Sequence, residues 1–485
     1  MKKYIWQNLL VLLLTGCTPG KRGSIQNPVY TPEVEERIQR VINNLQVETA
    51  FPDVYESKSL SDQMVHYHTP GVSIAVINNG RIEWARGFGA RSENTLDSVN
   101  VHTLFEAGSV SKPIFALTVM RLRERGILDL DKDVNEYLTS WKIPANAGWQ
   151  PVVTLRQLLS HTAGTTVHGF PGYLITESVP TIPQLLNGES PANTSPVKVN
   201  IMPGTAFRYS GGGTTVAMLT VMDVIKKPFP SIVEDELFGP MKLPHSTYSQ
   251  PLPDSLADLA STAFPYKGQP IKGRFHVYPE MSAAGLWTNP TELATLAIEV
   301  QRALRGESAL LNKETVEEML TPQKVAKHIG IGFFLEGKGD SARFRHGGWD
   351  EGFVTEFIAY KKLGMGAVIM VNSNEGYELL NEISKAIAIE YQWPGFLPEK
   401  NLEADVTPEE IKKHPGTYAD PDSNEYKIEG LANALHLSYQ NQSPVLLSKR
   451  KDGVFFSHQL NFTVQFENGT LKFTQMGNTV TCKKR

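Results

Sequence analysis

The stretch Ala107-Gly108-Ser109-Val110-Ser111-Lys112 decides how the rest of the 485-residue chain is read. It sets a serine and a lysine three positions apart, directly ahead of an apolar run over 114–122 with the composition of a buried helix. On a helix, residues at i and i+3 share one face. A serine hydroxyl becomes nucleophilic only when a neighbouring base takes its proton, and a lysine is such a base only where burial or a nearby cation disfavours its ammonium form. A helix start also offers unpaired N–H groups and a positive dipole end, which suit an oxyanion. Alone, Ser-x-x-Lys is a weak signal, because such pairs arise by chance.

Two further motifs follow in order. Tyr209-Ser210-Gly211 sits in Phe207-Arg208-Tyr209-Ser210-Gly211-Gly212-Gly213, where the glycines permit close backbone approach and place the tyrosine outside a regular helix. His346-Gly347-Gly348 stands just before a strand-like run over 353–360. Lesser signatures are Leu158-Leu159-Ser160-His161-Thr162-Ala163-Gly164 and Ala283-Ala284-Gly285-Leu286-Trp287. With these motifs, roughly residues 60–391 resemble the class C β-lactamase and penicillin-binding-protein family of serine hydrolases, which has esterase and D-aminopeptidase relatives.

That resemblance implies an α+β fold, a sheet flanked by helices with a helical subdomain. It also implies an acyl-enzyme on Ser109, with Lys112 and Tyr209 moving the proton. The backbone N–H groups of Ser109 and Trp349 would form the oxyanion hole, and His346 and Gly348 would line the substrate side. Trp349 and Phe353 would shape the pocket, although simple core packing is the competing reading for Phe353. No cofactor and no metal are required. Two departures bear on substrate. Many family members carry Lys-Thr-Gly where this chain has His346-Gly347-Gly348, so a permanent cation gives way to a titratable imidazole. Gly211 stands where lactamases usually carry Asn, removing a side-chain amide from the site.

Outward from these motifs, the organisation is strands, helices, strands. Residues 71–89 read as a hairpin turned at Asn79-Gly80, a helix-rich middle runs from 111 to about 300, and strand-like runs return at 355–360 and 367–371. This order is that of an α+β domain. Residues 377–391 read as a helix covering one sheet face. Near the start, 31–45 reads as a helix with Thr31 ahead of Pro32 and apolar Val34, Ile38, Val41 and Ile42. After a Pro/Gly boundary at 393–398, Thr407 and Glu410 form a capping box. Alternating segments at Leu435/Leu437/Tyr439 and Phe462/Val464/Phe466, with turns at Asp452-Gly453, Asn468-Gly469 and Gly477-Asn478, then give a small antiparallel β-domain of barrel type. The expected units are a leader over 1–16, a tether and helix over 17–58, a catalytic domain over 59–395 and a C-terminal β-domain over 405–485.

The leader has Lys2 and Lys3, an apolar run over 9–14 too short to span a bilayer, and Leu14-Thr15-Gly16-Cys17, which resembles a bacterial lipobox. Lipidation of Cys17 would tie the exported protein to a membrane facing the periplasm, and Thr18 favours the outer one. The only other cysteine, Cys482, leaves no disulfide framework. A formal charge of −4 with interspersed signs argues against a nucleic-acid partner.

Ser160-His161 is a helix end rather than a dyad, His66 and His68 lack a third metal ligand, and there is no Gly-x-Ser-x-Gly elbow. The leading functional expectation is cleavage of an amide or ester through an acyl-serine, on a small-molecule or peptidoglycan-peptide substrate. Carboxylesterase or D-aminopeptidase activity is the alternative, and a penicillin-binding sensor without turnover is the alternative of another class.

Overall fold

The turn at Asn79-Gly80 seeds the sheet, since both residues take positive φ (53° and 69°), the twist that lets two strands return on each other. The computed structural model describes residues 28–48, 55–94, 96–396 and most of 403–485. The leader, Cys17, most of the tether, and Asn468 and Gly477 of the two late turns lie outside the described residues.

The first elements are α1 (Pro32–Ile42), β1 (Gly71–Asn78), β2 (Arg81–Gly89), α2 (Ser111–Glu124), α3 (Gly211–Ile225) and α4 (Pro290–Leu304). After them come β3 (Phe334–Glu336), β4 (Arg343–Asp350), β5 (Phe353–Tyr360), β6 (Gly366–Val371) and α5 (Tyr377–Glu390). The six strands form one antiparallel sheet in the order β2-β1-β6-β5-β4-β3. Chain-distant β1 and β6 lie side by side at its centre, with Ile74 opposite Ile369.

Both strands are buried along their whole length because both faces are covered. Val72, Ile74 and Val76 of β1 and Ile369 and Val371 of β6 point to one core, closed by α1 and α5. Ala75, Ile77, Val368 and Met370 point to the other, shared with α2, α3 and α4. Each large side chain so buried contributes about 1.5–3 kcal/mol. The expected helix over 31–45 stops at Ile42, with Asn43 as its cap, and Leu45 starts a short strand instead. Thr31 caps its start, and Arg40 binds the Glu390 carboxylate at 2.7 and 2.9 Å, fixing α1 to α5.

The helical middle is interrupted by two short ladders that the sequence pattern does not signal. One pairs Phe105–Glu106 with Trp287–Thr288, and it ties the strand entering Ser109 to the segment leading into α4.

The C-terminal strands are β7 (Gly416–Ala419), β8 (Glu425–Leu431), β9 (Ala434–Tyr439), β10 (Val445–Arg450), β11 (Phe455–Phe456), β12 (Phe462–Glu467), β13 (Thr470–Gln475) and β14 (Asn478–Lys484). Each pairs antiparallel with the next, and β7 pairs with β14, so the eight strands close into a barrel. Thr407 and Glu410 make the capping box of the helix Pro408–Lys413 ahead of it. The barrel interior is an apolar core of its own, from Tyr418 to Cys482.

Candidate active site

Ser109 lies in a single 3-10 turn, Gly108–Val110, that feeds α2. Gly108 is required twice over. Its φ is +52°, and a Cβ there would stand 2.4 Å from the Trp349 backbone nitrogen. From the opposite side, a Cβ on Gly348 would stand 1.9 Å from Ala107 O and 3.3 Å from the Ser109 nitrogen. The turn and β4 therefore touch backbone to backbone, which brings the amides of Ser109 and Trp349 together.

Lys112 comes one turn later on a helix buried on nearly all sides. Its Nζ donates to Ser109 Oγ at 2.8 Å and to Ala283 O at 2.7 Å, and it lies 5.0 Å from the Tyr209 ring centroid. The segment 281–287 fixes this helix start, because Leu286 N donates to Ser111 Oγ at 3.0 Å. Thus the signature Ala283-Ala284-Gly285-Leu286-Trp287 acts by positioning Lys112.

Tyr209 precedes α3, whose cap Ser210 accepts from Gly213 N. The loop is held by the other signature: Arg208 N donates to His161 O, and Ser210 N donates to His161 Nδ1 at 3.2 Å. Among the described residues the Tyr209 hydroxyl has no hydrogen-bond partner, so it is free to act on a substrate. The glycines do allow close approach: a Cβ on Gly211 would meet the Phe170 ring at 2.8 Å and His168 O at 3.2 Å. An aromatic ring thus occupies the space next to the position where lactamases carry Asn.

His346 is buried on β4. Its Nδ1 lies 2.6 Å from Gly347 O and so carries the proton, which leaves Nε2 as a buried acceptor with no partner among the described residues. Burial, and then the nearby Lys112 ammonium, hold its pKa down at about 3. The imidazole that replaces the family's lysine is therefore neutral. Arg345 beside it is spent on Glu336 and Glu356. Among the described residues, no lysine or arginine other than Lys112 makes a hydrogen bond or ring contact with Ser109, Tyr209 or His346.

The remaining sequence candidates divide. Trp349 contributes backbone, whereas its ring is 55 % exposed, donates to Asn374 and stacks on Tyr377. Phe353 is fully buried against Phe105 and Trp287 and belongs to the core. Ser160 and His161 form no dyad, because the Ser160 hydroxyl is spent on Arg156 O and Thr162.

Sequence reasoning missed His161 itself, buried with its ring centroid 4.3 Å from that of Tyr209. Burial, and then Lys112, push its pKa well below the usual range. It also missed Phe334, which stacks on Tyr209 at 6.3 Å and lies 5.2 Å from His346. Phe207 and His328 extend this aromatic rim.

With this geometry in hand, the family description "Beta-lactamase" matches residues 57–392. The chain belongs to the beta-lactamase family. Protein flp of Staphylococcus aureus strain MRSA252 is 26% identical over 184 residues, covering 38% of this chain and 36% of that protein. Esterase EstB of Burkholderia gladioli is 29% identical over 152 residues, covering 29% of this chain and 37% of the esterase. The matched part thus spans little more than a third of either curated relative. Among solved structures, SurE aligns with a TM-score of 0.57 at 22% identity, over 88% of this chain and 97% of SurE. The octameric penicillin-binding protein homologue from Pyrococcus abyssi aligns with a TM-score of 0.57 at 18% identity, over 87% and 98%. Their low identity shows the fold alone. This beta-lactamase-family chain carries the fold together with a Ser–Lys pair in hydrogen-bond contact.

Proposed function

We propose that the protein is a serine hydrolase of the esterase and D-amino-acid amidase branch, acting on acyl substrates with no carboxylate beside the scissile bond. The observation that carries this reading is the neutral His346, whose buried Nε2 can only accept a hydrogen bond and offers no positive charge. The Phe170 ring against Gly211 and the rim of Phe334 and Phe207 favour an apolar or aromatic acyl group. The esterase relative supports the same branch, as does the fold shared with EstCE1, described as a hydrolase with promiscuous acyltransferase activity.

In this reading Lys112 acts in its free-amine form: Ser109 Oγ attacks the carbonyl carbon while its proton passes to Lys112 Nζ, across the 2.8 Å separation at which the ammonium form donates to Oγ. The amides of Ser109 and Trp349 hold the oxyanion, and one such donor is worth about 3 kcal/mol. Tyr209 and Lys112 return the proton to the leaving group, and then activate water against the acyl-serine. Attachment through a lipid on Cys17 belongs to the same reading, with the catalytic unit facing the periplasm; a shift of the mature mass on Cys17→Ser checks it.

The test is hydrolysis of p-nitrophenyl acyl esters by the wild type and by Ser109→Ala, with benzylpenicillin alongside. Turnover that requires Ser109, with benzylpenicillin far slower, supports the reading. Faster acylation by benzylpenicillin overturns the substrate assignment, and equal ester hydrolysis by Ser109→Ala overturns the mechanism.

A further inference from the structure

The turn that brings Phe170 to Gly211 carries a second side chain with no role in the reading above. Residues 165–174 run alongside the start of α3 and end in a two-residue ladder, with Tyr173 opposite Val277 and Leu174 opposite His276. Within them Val167 takes a φ of +63°. A β-branched residue is disfavoured in that region, and such strain persists only where the surroundings hold it. The backbone and cap at the start of α3 hold it here. Ser210 Oγ donates to Thr166 O at 2.6 Å and lies 3.1 Å from Val167 O. Gly212 N donates to Val167 O at 3.1 Å, and Gly211 N donates to His168 O at 3.0 Å. The far side of the turn is pinned as well, since His276 Nδ1 donates to Pro171 O at 2.9 Å and Asn193 Nδ2 to Gly172 O at 2.8 Å.

The strained turn delivers His168 to the site. Its ring lies 4.9 Å from the Tyr209 ring, tilted by 44°, and the Tyr209 ring in turn lies 5.0 Å from Lys112 Nζ. His168 is exposed, and among the described residues its ring nitrogens make no hydrogen bond. The other side chains in contact with Tyr209 are committed. Lys112 is held by Ser109 Oγ and Ala283 O, His161 by Ser210 N, and His346 by Gly347 O with only an acceptor left on its ring, while Phe334 is apolar.

We propose that His168 is a specificity-determining residue, donating a hydrogen bond to an amide carbonyl that the substrate carries next to its scissile carbonyl. The proposal rests on the serine-hydrolase reading above and names its substrate class: esters or amides of N-acylated amino acids. Gly211 supplies no side chain, and the Phe170 ring and His168 O would stand only 2.8 and 3.2 Å from a Cβ there. A polar contact at this place therefore has to come from the neighbouring turn. A neutral imidazole keeps one N–H and an imidazolium has two, so the donor is present in either state. Phe170 beside it then takes the amino-acid side chain, and the backbone bonds from Gly211 and Gly212 fix both residues relative to Tyr209.

The experiment compares two p-nitrophenyl esters, of N-acetyl-D-phenylalanine and of 3-phenylpropanoic acid, which differ in the acetamido group alone. The ratio of their kcat/KM values is read for the wild type, His168→Ala and His168→Gln. The wild type is expected to favour the acetamido ester, and His168→Ala to lower the ratio about tenfold, the worth of one hydrogen bond. His168→Gln keeps an N–H donor and is expected to restore most of the ratio. An unchanged ratio in His168→Ala overturns the inference and leaves the serine-hydrolase reading standing. So does a His168→Gln ratio no higher than that of His168→Ala, which would assign the effect to ring packing. If the wild type hydrolyses neither ester, or Ser109→Ala hydrolyses both as fast, that reading falls and this inference with it.

Discussion

The two cores flanking the main sheet and the barrel are built from similar apolar side chains, yet their interiors differ in kind. The barrel encloses Tyr426, Ile428, Leu437, Phe455, Val464 and Leu471, and among the described residues Ser457 is the one buried polar side chain within its strand region. The interior around Ser109 holds Glu106, Lys112, His161, Glu280, His346 and Asp350. Buried groups of that sort cost stability unless they are paired, and here several are not. The lesson is that the barrel is organised for stability, whereas the Ser109 region gives up stability for a set electrostatic environment.

The contrast can be broken at several points. The largest effect is expected at the pair itself: Lys112→Ala and Ser109→Ala should each lower kcat/KM for an ester by about 10⁴-fold or more, with little change in melting temperature. Steady-state kinetics with differential scanning calorimetry measure both quantities. In the barrel the pattern should reverse, with Leu471→Ala costing about 3 kcal/mol of stability in denaturant titration.

Glu280→Gln sharpens the comparison through pH. The folded protein holds Glu280 protonated up to about pH 8, above its unfolded value, so the native state binds the extra proton and stability falls as pH rises through that window. The neutral variant escapes this loss. It should melt at nearly the wild-type temperature at pH 4 and be more stable at pH 8, by roughly 4 kcal/mol. The smallest effect is expected for Trp349→Ala, which removes an exposed ring and keeps the backbone N–H; ester turnover should change by less than about threefold.

Much of the architecture was legible in the sequence because its signals are local. Asn79-Gly80 marks a hairpin, Thr31-Pro32 a helix start, Thr407 with Glu410 a capping box, and the alternation after Gly416 a barrel. The Ser109–Lys112 contact was legible for the same reason, as two side chains one turn apart. The buried carboxyls were not, because Glu106, Glu280 and Asp350 come from distant segments and each alone resembles a surface acid. His161 was passed over since its contact is with Tyr209 and not with adjacent Ser160. The charge state of His346 needed the structure as well, because it depends on burial and on the lysine beneath it.

The most direct test of the central claim is a matched pair of substrates, an N-acyl-D-alanine thioester-type depsipeptide ending in a free carboxylate and its methyl ester, differing in that one charge. The account predicts that the methyl ester has a kcat/KM at least about tenfold higher, since a neutral His346 gives the carboxylate no partner to offset its desolvation. An equal or higher value for the carboxylate form would contradict it.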